Sequence, residues 1–418
     1  MTRDRTGGSR DLTGDAGRRG FLRCAAGIAG VAAAGGVGGD AYAAQPETSG
    51  DRRRDDGKVR PKRVPFHGEH QAGVVTKQQR HASFLSFDVL AEDRKELKEL
   101  FKEITSRSRK MVSGVAKSRH QEDGPTTDLL TITLGVGASL FDDRFDLSAH
   151  RPRHLKAMPQ FPNDRLTPSL CHGDLSLQIC ANYPDAVVHV VRDLARTTDG
   201  MLRPRWRRNA YINPSRPSGP GRVFLGFKDG LQNPDTGSSE EMDRLMWVTP
   251  PCGEPKWALG GCYQVVRLIR FDVEKWDQLP ISDQEKIFGR HKSSGAPLSG
   301  TKESDTPDFS NDPHGEKIPL NAHIRLANPR TQETDNSRLY RRSYNFDNGF
   351  DEEGRMNLGL VFCAYQQDVE RQFATVQRRL EDEPLSEFVT PFGGGYFYVL
   401  PGVEDEHDYL GRSLLRKR

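Results

Sequence analysis

The sequence predicts an α+β fold made of two ferredoxin-like halves with antiparallel sheets. Strand-like alternation and helix-like periodicity are interleaved along the chain rather than segregated. The same rhythm occurs twice, before and after a basic, Pro-rich stretch at 203–222 that reads as the crossing between halves. No G-x-G-x-x-G or G-x-x-x-x-G-K-[ST] turn follows any strand, so a parallel doubly wound sheet lacks its phosphate-binding turn.

In the first half, 83–88 alternates as a strand. Leu90, Leu97, Leu100, Phe101 and Ile104 then recur at helical spacing. Residues 129–137 read as a strand with Leu130, Ile132 and Leu134 on one face, and 175–181 as another. Residues 185–196 form a helix opened by Pro184 and an acidic first turn. In the second half, 262–272 is a strand, 282–291 a helix and 357–365 an apolar strand. Val369, Phe373, Val376 and Leu380 make a helical stripe, and 395–400 is a strand after a glycine turn. The polar segment 293–319 is a long loop, and a loop of that length in a compact domain is usually functional or disordered.

The 418 residues allow two domains, expected at 64–215 and 216–410. A net charge of +3 is too balanced to argue for nucleic acid, and no long apolar run argues for multiple membrane spans. Residues 1–44 read as a twin-arginine export signal: Arg18-Arg19, a weakly apolar stretch from Cys24 to Gly39, and Ala41-Tyr42-Ala43 at the cleavage spacing. The product is then periplasmic or extracellular, with the twin-arginine translocase as a partner. Residues 45–63 are a disordered linker, basic but without the interleaved aromatics that stack on bases. Outside the signal lie Cys171, Cys180, Cys252, Cys262 and Cys363. No C-x-x-C occurs, so zinc ribbons are unsupported, and no C-x-x-C-H occurs, which excludes covalent c-type haem attachment, while a Cys252–Cys262 disulfide stays open.

Three segments carry candidate chemistry. In Gly226-Phe227-Lys228-Asp229-Gly230 a carboxylate is held between glycines that allow close backbone approach to a flat ligand. His323 stands among small and apolar residues in 321–330, where a neutral imidazole can serve as a ligand. Arg341-Arg342 precedes two aromatics, either as a solvated strand edge or with one guanidinium clamping an anion. Taken singly, each has an ordinary structural explanation. Two other patterns fail: His67-Gly68-Glu69-His70 lacks the spacing of a helical metal pair, and Ser169, His172 and Asp174 lack a nucleophile elbow.

In order and at this spacing, the three segments resemble the dye-decolourising peroxidase family, in its exported deferrochelatase/peroxidase subgroup. Pro65–Gly73, Gly135–Phe145, His172–Leu175 and Phe392–Gly402 agree with the resemblance, which covers about 64–403. It implies a dimeric α+β barrel type of fold with one haem b per chain in the C-terminal half. It implies His323 as proximal iron ligand, Asp229 as distal acid and Arg341 as distal arginine. Gly230, Leu231 and Gln232 then lie along the haem, as do Asn328, Pro329 and Arg330, with Arg330 toward a propionate. Leu231-Gln232 stands where smaller residues are common in the family.

The expected function is a haem peroxidase that reduces hydrogen peroxide and oxidises dyes, phenols or other reductants. The alternative is a deferrochelatase that releases iron from haem beside iron-uptake components, and a cofactor-free exported binding module comes third. A homodimer is expected. Trp247, Trp257 and Tyr344 are nameable as surface relays for electrons from large reductants, but sequence does not rank them and each reads first as an ordinary core aromatic.

Overall fold

In the computed structural model, the described residues are 63–114, 128–214, 216 and 218–416. The expected export signal at 1–44, Cys24 and all of the expected linker but Arg63 lie outside them. Chain order is β1 (His81–Val89), α1 (Arg94–Val112), β2 (Thr131–Gly137), β3 (Leu175–Ala181), α2 (Pro184–Thr197), β4 (Leu202–Tyr211), α3 (Ser239–Leu245), β5 (Cys262–Phe271), α4 (Val273–Trp276), α5 (Ile281–Phe288), α6 (His323–Ala327), α7 (Gln332–Asp335), β6 (Tyr340–Arg341), β7 (Tyr344–Phe350), β8 (Met356–Gln366), α8 (Thr375–Arg379), β9 (Val389–Val399) and α9 (Arg412–Leu415).

The strands make one antiparallel sheet in the order β5-β9-β2-β3-β1-β4-β7-β8-β6, and β8 also pairs with β5. That last pairing closes the sheet into a barrel, with short β6 attached to β8. Closure removes the free edges that an open sheet would have to protect. Strand alternation sorts the core. In β1, Ala82 and Phe84 join one buried cluster with Trp206, Val266, Val361 and Phe397, drawn from strands of both halves. Leu85 and Phe87 join a second cluster with Leu97, Leu100, Phe101 and Ile104 of α1. Side chains two apart share a face, so one strand serves both layers. The α1 stripe is fully buried, and each such side chain contributes about 1.5–3 kcal/mol of transfer free energy.

Three expectations need correction. Residues 203–211 are not a crossing segment but most of β4, paired along β1. Only Trp206 and Ala210 of β4 are buried, so its arginines hide the alternation, and Pro204 sits at a register shift where a ladder donor is dispensable. Leu90 is 42% exposed and precedes α1, which begins after Asp93 accepts from the Glu96 N–H at 2.8 Å. The stripe from Val369 starts as a π-helix at Glu370–Ala374 before α8, so only Val369 and Phe373 are buried. Trp247, Trp257 and Tyr344 are buried, the core placement that is the first reading of each. The five cysteines among the described residues are free, including Cys252 and Cys262.

Residues 293–319 hold no helix or strand, and they dock onto the segment after β4. Arg222 donates to the carbonyls of Gly226 at 2.7 Å and Lys292 at 2.6 Å, and Lys228 pairs with Glu303. Asn345 of β7 donates to the Arg222 carbonyl at 2.8 Å. The barrel wall thus anchors the 226–233 loop. No helix among the described residues is long and apolar enough to cross a membrane.

Candidate active site

The structure brings Asp229 and Arg341 into contact: Arg341 Nε donates to Asp229 Oδ1 at 2.9 Å. Each is held by backbone. The Gly230 N–H donates to Asp229 Oδ1 at 2.7 Å, and Gly230 has φ +84°, the left-handed region that favours glycine. Asn233 grips Arg341 twice, accepting from its N–H at 3.0 Å and donating to its carbonyl at 2.7 Å. The Arg pair divides by strand alternation. Arg342 is buried and donates to the Thr76 carbonyl and to Gln79, leaving Arg341 facing Asp229. Asp229 and Arg341 remain 26% and 30% exposed, and both line a cavity of about 100 Å³ with Gly230 and Asn233.

Burial alone would push the Asp229 carboxyl up. The Arg341 guanidinium and its hydrogen bond, together with the Gly230 N–H, outweigh that and hold it below the usual carboxylate range. Asp229 is therefore ionised at neutral pH.

His323 opens α6 and is 31% exposed. Its Nδ1 bonds Glu383 Oε2 at 2.6 Å. That contact directs Nε2 outward as the free nitrogen. Burial lowers the His323 pKa most, but Glu383 reverses this and the net shift is upward. Arg341 lowers it and Asp229 raises it, so all three groups share one electrostatic neighbourhood. An aromatic chain links the two sides: Phe227 stacks on Phe288 at 3.9 Å, and Phe288 lies 5.7 Å from His323, centroid to centroid.

The remaining residues border the same region. Gln232 accepts from Arg330 Nη2 at 2.8 Å, and Asn328 Oδ1 accepts from the Arg330 N–H at 3.1 Å. Leu231 packs near Gly295 of the long loop, and Pro329 is half-buried after α6. Every residue of 228–233 and 323–330 is partly exposed, while the flanking Phe227, Pro234 and Ala322 are buried. Two strips of chain thus present a face that a flat ligand would cover.

The donor set fits haem. His323 offers a free imidazole nitrogen with a carboxylate behind it. The buried Nε of Arg330 has no partner. Arg290, buried and bonded to the Gly295 carbonyl at 2.7 Å, is pushed down to about 10 by burial and then by Arg330 and Arg341. The nearby acids are spent elsewhere, Glu303 on Lys228 and Asp335 on Arg244 and Arg338. Arg290 and Arg330 make no ion pair among the described residues, and guanidinium groups left so suit the two propionates of haem b.

Glu383, Asn233 and Arg290 escaped the sequence reading. Glu383 sits in an acidic run, Asn233-Pro234 reads as a turn, and nothing in spacing ties any of them to the site.

Residues 71–212 match the family model for the Dyp-type peroxidase N-terminal region, and 221–404 match that for the C-terminal region. The chain belongs to the Dyp-type peroxidase family. It is accordingly an enzyme of oxidoreductase type, and its barrel is the family's double ferredoxin-like architecture. The deferrochelatase of Escherichia coli (strain K12) is 46% identical over 374 residues, 86% of this chain and 88% of that protein. The deferrochelatase of Shigella flexneri serotype 5b is 46% identical over 86% of this chain and 89% of its own. Ferric DtpA from Streptomyces lividans superposes with a TM-score of 0.79 at 32% identity, covering 85% of this chain and 98% of that one. A DyP-type peroxidase from Cellulomonas bogoriensis gives 0.78 at 34% identity, covering 86% and 99%. These likenesses shift weight from the peroxidase expectation toward the deferrochelatase alternative, because the deferrochelatases are the more similar proteins.

Proposed function

We propose that this family member takes haem b between 226–233 and 323–330 and releases iron from it, as a deferrochelatase exported by the twin-arginine route for iron acquisition. The observation that carries the haem site is the pairing of a carboxylate-backed imidazole, Glu383–His323, with the Asp229–Arg341 ion pair in one electrostatic neighbourhood. Support for iron release comes from the 46% identical relatives that bear that name.

In this reading haem is the substrate and His323 Nε2 is the iron ligand. Arg330 and Arg290 bind the propionates and fix the orientation of the ring. Iron can leave a porphyrin only as two protons reach the pyrrole nitrogens. Asp229 is the group placed to relay them from solvent, one at a time. Its depressed pKa makes each protonation uphill, so iron release should accelerate as pH falls.

A second reading, peroxide-driven oxidation, is favoured by that same depressed pKa. An ionised Asp229 Oδ2 can take a proton from peroxide and return it to the departing oxygen, while the Arg341 guanidinium stabilises the charge that develops there. Bound haem would supply the redox-active iron for this chemistry.

The test is to incubate purified protein with haem, with and without peroxide. Free protoporphyrin, released iron and dye turnover are then measured together. Iron release predicts protoporphyrin and iron in equal amounts. Dye oxidation with no protoporphyrin would instead select the second reading, and absence of a Soret band would overturn both.

Glu383→Gln is expected to weaken haem affinity about 10-fold, because the partner behind a ligating imidazole sets its orientation and basicity. Titration of the Soret band with haem checks this.

A further inference from the structure

The His172-Gly173-Asp174 motif has no part in the chemistry above, yet it is a tightly constrained turn. His172 has φ +59° and Gly173 φ +128°. A Cβ on Gly173 would stand 1.9 Å from Ser86 Oγ, so only glycine fits there. The His172 carbonyl accepts from Ser86 Oγ at 2.5 Å and Trp206 Nε1 at 3.1 Å, and its N–H donates to the Gly394 carbonyl at 2.7 Å. Asp174 accepts from the Val89 N–H at 2.9 Å, Ser139 Oγ at 2.5 Å and Arg144 at 3.1 Å.

Three strands therefore hold a histidine in the left-handed region, where glycine or asparagine would cost less. Strain kept at such a site points from the geometry toward function. The imidazole itself makes no hydrogen bond among the described residues and is half-buried in the wall of a cavity of about 470 Å³. Burial first, and then Arg205, lower its pKa, so the ring is neutral at pH 7. Tyr396 belongs to the same wall, is only 2% exposed, and its buried hydroxyl has no partner. An unsatisfied buried hydroxyl costs about 1–3 kcal/mol unless something answers it.

The rest of the wall is two-faced. Val89, Ala138 and Ala157 are apolar, while Arg144 is paired with Asp142 and Asp174, Lys156 with Glu370, and Arg203 and Arg205 share the single carboxylate of Asp88. The cavity lies apart from the haem residues. It shares no lining residue with the cavity that Asp229 and Arg341 line.

We propose that this cavity is a second binding site, for a small aromatic carboxylate, with His172 and Tyr396 as hydrogen-bonding anchors and the Arg203 and Arg205 guanidinium groups, which share one acid, attracting the carboxylate. A volume of this size and an apolar face suit one or two aromatic rings better than a bare inorganic anion. The proposal is independent of what happens at the haem.

The test uses the haem-loaded mature protein and isothermal calorimetry, with phthalate and inorganic phosphate as separate probes. Wild type should bind phthalate saturably, one per chain, and phosphate far more weakly. His172→Asn, which suits the left-handed backbone, should weaken phthalate binding about 10-fold, equivalent to about 1.4 kcal/mol. Tyr396→Phe should weaken it severalfold. The Soret band should be unchanged in both variants. No saturable phthalate binding, equal binding of phosphate, or wild-type affinity in both variants would overturn the proposal.

Discussion

His323→Ala is expected to abolish most haem retention, seen as a collapse of the Soret-to-protein absorbance ratio in purified protein. The proposed site offers one imidazole nitrogen to iron, and Glu383 at 2.6 Å exists in that site to aim it. Alanine removes the ligand and leaves the Glu383 carboxylate without its partner. The fold should survive, because α6 is a five-residue helix with no buried residue. Circular dichroism at native intensity alongside an absent Soret band is the predicted pair of results. Full haem occupancy in the variant would rule out His323 as the ligand.

The second large effect concerns Arg341. Arg341→Leu should slow peroxide cleavage by about 10²–10³-fold, the usual cost of losing a group that stabilises charge in the transition state. Asp229→Asn should cost less, because water can carry the proton that the carboxylate shuttles. Stopped-flow spectra of haem-loaded variants after mixing with peroxide would measure both. Unchanged rates in the two variants would remove the pair from the mechanism.

The pH profile adds an independent check. In wild type Asp229 is held ionised below the usual carboxylate range near 4. Activity that needs the ionised form is therefore retained as pH falls to that range and lost below it. Without Arg341, burial is opposed far less, so the acid limb should move to higher pH. An acid limb at the same pH in Arg341→Leu would contradict the cause assigned here. Stability follows the same sign: a carboxylate with a depressed pKa stabilises the fold above its unfolded pKa, and that contribution is lost as pH falls through the folded value.

How much of this was legible depended on the kind of signal. Strands with clean alternation were readable: 175–181 coincides with β3, and 262–272 overshoots β5 by one residue. β4 was not, because eight of its ten residues are exposed or half-exposed and its pairing with β1 carries the strand. The two-residue β6 leaves no periodicity at all, yet it fixes Arg341 opposite Ala364. Among the proposed site residues, Asp229, His323 and Arg341 were legible only because three weak motifs occur in order. Glu383 lies 60 residues beyond His323 and Arg290 lies 33 before it, and no local pattern marks either.

The amino-acid order alone determined the α+β class, the strands whose two faces differ in polarity, and three segments able to carry an acid, an imidazole and a guanidinium. These are local properties, written in spacing a few residues long. Only the tertiary structure decided that both halves close one barrel, that Arg341 rather than Arg342 meets Asp229, and that Glu383 backs His323. Those facts arise from strand pairing and from contacts across more than a hundred residues in the first two cases and 60 in the last, where burial and charge, not sequence neighbours, select the partner.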